Sequence, residues 1–149
     1  MVAAWLCAAA PRGEEPAAAE RDGGDKRASP DSVALLVVSL TSCAALHFSA
    51  QEALNADGST AHAEEAKRRG QAAAMTAMYV LAQSRISHGG APQPLSSFRP
   101  YVDQMISASL ERMAAIIKNG DVAQFRSEEE TCASLSPLED EVIAKIAAE

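Results

Sequence analysis

Residues 29–55 read SPDSVALLVVSLTSCAALHFSAQEALN, and the fold class turns on how this stretch is taken. Residues 33–40 alone, VALLVVSL, are apolar and β-branched enough to pass for a buried strand. The wider spacing argues otherwise. Val33, Leu36, Leu40, Cys43, His47, Ala50 and Leu54 follow one another at alternating intervals of three and four. That is one stripe of a helix, and a strand has no reason to hold such a register over so many residues. Ser29 supplies an N-cap, Pro30 suits the first helical position and Asp31 favours the helix dipole. Asp57-Gly58 supplies the stop.

The same reading extends towards the C-terminus. A second helix is expected from Ser59 or Thr60 to about His88, with Ala72, Met75, Tyr79, Ala82 and Ile86 as its buried stripe and Gly89-Gly90 as its end. After a loop holding Pro92 and Pro94, a third runs from residues 97–100 to Asn119-Gly120. Phe98, Val102, Met105, Ser109, Met113 and Ile116 repeat along it at helical spacing, widened by Leu110 and Ile117. Asp121 and Gln124 open a fourth, with Val122, Phe125 and Cys132 on one face. Ser136-Pro137 followed by Glu139 forms an S-x-x-E capping box with proline at the first helical position. It predicts a separate, short fifth helix buried through Leu138, Val142, Ile143 and Ile146. The expected fold is all-α: a small antiparallel bundle of three long and two short helices, residues 29–149 forming one domain. A chain of 149 residues suits one domain. A core of Ala, Leu, Val, Ile and Met with 4% aromatic residues suits closely packed helices.

Residues 1–28 differ. Val2 to Ala10 is a short apolar run with Trp5 and Cys7, followed by PRGEEPAAAERDGGDKRA, which has no periodicity. The run resembles the apolar region of a secretory leader with Ala17-Ala18-Ala19 as a cleavage site, although the positive segment that normally precedes it is missing. The alternative is a disordered tail.

Charge and motifs exclude several functions. The formal charge is −7 and the pI about 5.0, which speaks against nucleic acid as a partner. The one basic cluster, Lys67-Arg68-Arg69, follows Glu64-Glu65 at helix-pairing distances and reads as a solvated face. No Gly-rich phosphate loop, nucleophile elbow or metal-ligand pattern occurs. His62 and Glu65 stand three apart but lack further converging ligands. Glu128-Glu129-Glu130 reads as a solvated run because consecutive helical residues diverge. No catalytic residue, metal or cofactor is expected.

Two cysteines carry the remaining signal. Cys43 lies on the buried stripe and Cys132 near the end of the fourth helix, so a bridge would staple the first helix to the C-terminal region across about 90 residues. Two buried free thiols are the alternative, and the one expected in a reducing cytoplasm; the leader-like start favours the bridge. Leu40-Thr41-Ser42-Cys43 also fits a bacterial lipobox, with Lys26-Arg27 as its charged segment. Acylation at Cys43 would then anchor the chain to a membrane. His47, Met75, Tyr79 and Met105 are the candidates for lining a ligand pocket.

Cys43-Ala44-Ala45-Leu46, the Ala- and Arg-rich second helix, and Asn119-Gly120-Asp121 with Cys132 and Leu135-Ser136-Pro137-Leu138 together resemble small exported proteobacterial proteins, all-helical with two cysteines and largely uncharacterised. The resemblance spans roughly residues 33–146. It implies a periplasmic or secreted protein with a Cys43–Cys132 disulfide, and no activity. The expected function is accordingly non-enzymatic, through contacts with an unidentified protein partner, as a monomer or homodimer. A bundle binding a small molecule in a Met- and Tyr-lined interior is the alternative.

Overall fold

The computed structural model describes residues 29–148, so the leader-like segment lies outside the described residues. Four α-helices appear in it: α1 Pro30–Ala56, α2 Thr60–Ser87, α3 Arg99–Asn119 and α4 Val122–Ala148, with a 3-10 turn Leu95–Phe98 before α3. No strand is found among the described residues.

The helix ends follow the local chemistry. Ser29 Oγ accepts from the Ser32 backbone N–H at 3.2 Å, with Pro30 in the first turn. Gly120, at φ 65°, closes α3 in the left-handed conformation that a side chain resists, and Asp121 N–H donates to the Ile116 carbonyl at 3.1 Å. Asp121 then caps α4 by accepting from the Gln124 N–H at 3.0 Å.

The expected fourth and fifth helices are one. Residues 122–148 run helical straight through Pro137. Ser136 does not reach forward as a cap; its Oγ donates back to the Cys132 carbonyl at 3.3 Å. Proline inside a helix removes one backbone bond and is costly, typically about 3 kcal/mol. Continuity holds because both sides of Pro137 are anchored: Cys132 upstream, and Glu139 and Val142 downstream, are buried.

α1 and α2 form an antiparallel hairpin turning at Asp57-Gly58-Ser59, and α3 and α4 pack onto it. The α1–α2 seam departs from expectation in one respect. α2 buries Ala63, Ala66, Gly70, Ala73, Ala77 and Met78, and Ala82 as expected, whereas Met75 is 37% and Ile86 43% exposed. The expected stripe of large side chains is rotated away, because α1 comes too close for them. A Cβ on Gly70 would stand 2.5 Å from the Phe48 ring. Val37, Leu40, Cys43, Ala44, Ala73, Ala77, Val102, Met113 and Cys132 form the core. Thr41 and Ser42 are buried with them, their hydroxyls donating to the Val37 and Val38 carbonyls at 2.9 Å. On α3, Val102, Met113 and Ile116 are buried as expected, while Ile117 is exposed; on α4 so is Val122.

Candidate functional site

The strongest constraint in the molecule is a disulfide between Cys43 and Cys132, Cα atoms 5.3 Å apart, joining the middle of α1 to the middle of α4. Cys43 is fully buried and Cys132 nearly so. Acylation of Cys43 and this bridge are mutually exclusive uses of the same sulfur, and the structure holds the bridge.

His47 follows Cys43 by one turn on α1. It is half-buried in a 340 Å³ cleft with Leu46, Arg69, Phe125, Glu129, Cys132 and Ser136 among its walls. Burial, then the positive charge of Arg69, hold its imidazole below the ordinary histidine range, with Glu65 partly opposing. Arg69 is shared: it pairs with Glu65 at 3.4 Å along α2 and with Asp140 at 3.4 Å across to α4.

Phe48, the next residue, points about 100° away around the helix. It lines a second depression, an open 470 Å³ groove between α2 and α3 walled by Met75, Met78, Val102 and Ile106, with Arg99 and Asp103 at its edge. Of the candidates for lining a ligand pocket, His47 and Met75 lie in different depressions. Tyr79 is half-buried, and Met105 packs half-buried against the core.

Two carboxylates are placed differently from their sequence reading. Glu128 is not part of a solvated run; it is 9% exposed at the α3–α4 junction. It pairs with Arg112 at 3.3 Å and accepts from Gln124 Nε2 at 3.0 Å. Arg112 also donates to Ser42 Oγ at 2.7 Å, so a single guanidinium links α1, α3 and α4. Its neighbours Glu129 and Glu130 are exposed. Glu139, expected at a helix start, is 1% exposed, and neither carboxyl oxygen finds a hydrogen-bond partner among the described residues. A signal for it was present: Cys132, Leu135, Glu139, Val142 and Ile146 are spaced three and four apart, a stripe visible once the helix is allowed to continue through Pro137.

His62 is exposed in the first turn of α2, and among the described residues no three His, Cys, Asp or Glu side chains are grouped to hold a metal ion. Comparison with protein-family models, with curated proteins and with solved structures finds no match.

Proposed function

We propose that this chain is a non-enzymatic, exported helical protein that acts by binding another protein along the α2–α3 groove. The observation that carries the reading is the placement of Met75. It stands 37% exposed on the wall of a groove that it shares with apolar Phe48, Met78, Val102 and Ile106 and with polar Gln71, Arg99 and Asp103. Methionine and aromatic side chains adapt to an apolar partner, and Arg99 and Asp103 at the edge offer polar contacts for orientation. The groove lies between α2 and α3 and takes in the exposed Met75, a surface that a partner's helix or extended segment can reach.

Export is supported by the disulfide, since such bridges persist in oxidising compartments, and by the leader-like residues 2–19. The resemblance to two-cysteine periplasmic proteins points the same way. α1 is long and apolar enough to cross a membrane by length and composition, but its central residues, from Leu40 to Leu46, are core. A small-molecule role would fall to the other depression, where His47, Arg69 and Ser136 supply polar groups beside Leu46 and Phe125.

A photo-crosslinking residue at Met75, with a second variant carrying it at the exposed Glu64 as control, tests the docking reading in cells of the native host. A discrete adduct from position 75, absent from position 64, is the expected result. Equal labelling at both positions, or none at 75, overturns it.

A further inference from the structure

The groove leaves Glu139 unexplained. A carboxylate that is buried with both oxygens unpaired is among the most unfavourable groups a fold can hold, and the neutral acid costs far less. Its position along α4 matters as much as its burial. Pro137 stands two residues before it and leaves the Ala133 carbonyl without its helical donor, so the backbone ladder is weakest there. Upstream of that point α4 cannot leave the body, because Cys132 is bonded to Cys43. Downstream, one ion pair to α2, Arg69–Asp140 at 3.4 Å, and a short apolar strip hold the helix. Val142 is buried, Ile143 and Ile146 are half-buried, and Glu141 and Lys145 pair with each other rather than with another helix.

We propose that residues 138–148 form a flap hinged at Pro137 and latched by the carboxyl of Glu139, closed while that group is protonated and released when it ionises. The closed flap lies along α2, where Asp140, Ile143, Ala144 and Ala147 face Glu65, Arg68, Arg69 and Ala72. Opening exposes Arg69 and this stretch of α2.

The charges around the latch favour this direction. From α2 comes Arg69, which draws the proton off Glu139 but is already shared by Glu65 and Asp140. Arg68 is occupied by Glu65. From α1, His47 lies in the neighbouring cleft with Arg69, its own charging opposed by burial and by Arg69. Arg112 of α3 is held by Glu128, three turns up α4. Asp140 adds negative charge beside the latch. Burial therefore dominates: it lifts the Glu139 carboxyl above the ordinary range, Arg69 pulls it down less, and Asp140 raises it further. A carboxyl raised in the closed state binds its proton more tightly there than in the open state. Closure is therefore fully favoured below the ordinary carboxylate range and weakens as pH rises towards the closed-state value. The inference is independent of what docks in the α2–α3 groove.

Amide hydrogen exchange of the full, oxidised chain between pH 4 and pH 9 tests it, with rates corrected for the intrinsic pH dependence of exchange. Residues 138–148 should lose protection by about tenfold per pH unit over the window in which Glu139 ionises, then level off, as linkage to a single proton requires. Peptides from the disulfide-tied core of α1 should stay protected throughout and serve as the internal reference. In Glu139→Gln the same segment should remain protected at every pH, because a neutral isostere cannot release the latch. Glu139→Leu provides a second neutral latch should the amide disturb packing. Protection of residues 138–148 that is flat with pH in the unmodified chain overturns the proposal. So does an identical loss in both neutral variants, since some other group would then be titrating.

Discussion

Cutting the Cys43–Cys132 bridge is the perturbation whose magnitude the structure defines best. The two cysteines are separated by 89 positions, and the loop they close contains most of the packed hairpin and all of α3. A cross-link of this span removes chain entropy from the unfolded state worth about 4.6 kcal/mol at room temperature in the loop-closure model. Cys43→Ala adds the loss of one buried sulfur from a fully buried site, about 1 kcal/mol on the scale of a deleted core group. For a folded unit of about 120 residues, 4.6 kcal/mol corresponds to a drop of about 18 °C in Tm. The assay is urea unfolding and thermal melting of the oxidised chain, the chain reduced while unfolded, and Cys43→Ala. The reduced chain should lose the entropic part, the variant should lose that plus the core contribution, and reductant should leave the variant unchanged. A variant within about 1 kcal/mol of the oxidised chain would refute the reasoning, because the two sulfurs would then be behaving as free core thiols. A reduced chain as stable as the oxidised one would refute it equally.

Two further substitutions probe the packing. Gly70→Ala should gain about 1 kcal/mol of helix propensity yet still destabilise by about 1–2 kcal/mol, because its Cβ meets the Phe48 ring at 2.5 Å; Gly70→Ala with Phe48→Leu should recover most of the loss in a double-mutant cycle read by denaturant unfolding. Arg112→Met should cost about 1–2 kcal/mol by leaving Glu128 buried without its cation and Ser42 without its donor, discounted because the Arg112 side chain is 48% exposed. Arg112→Met with Glu128→Leu should return to near the starting stability, and a double variant no better than the single would show that the pair is not coupled.

Much of this protein was legible as one-dimensional pattern. Helical periodicity depends only on which side chains recur at three and four, so α1, α2 and α3 emerge from their spacings, and Ser29, Gly120 and Asp121 mark ends because capping is a contact within one turn. The pairing of Cys43 with Cys132 was one of two readings the sequence left open, favoured by the leader-like start and implied by the resemblance. Three features depended on what one helix meets on another. The buried face of α2 was chosen by the closeness of α1, which admits Ala63, Gly70 and Ala73 and turns Met75 outward to wall a groove. Pro137 sits at a position where a helix start and a helix interior look alike locally. The disulfide on one side and buried Val142 on the other carry α4 through it, and so bring Glu139 into the interior. Glu128 in an acidic run was indistinguishable from its neighbours until Arg112 reached it from α3. The sequence by itself determined where α1, α2 and α3 coil and which stripes of α1 and α3 face inward. Which side of α2 faces inward, and which acids of α4 are buried, was decided by how the helices meet, a relation that no single segment contains.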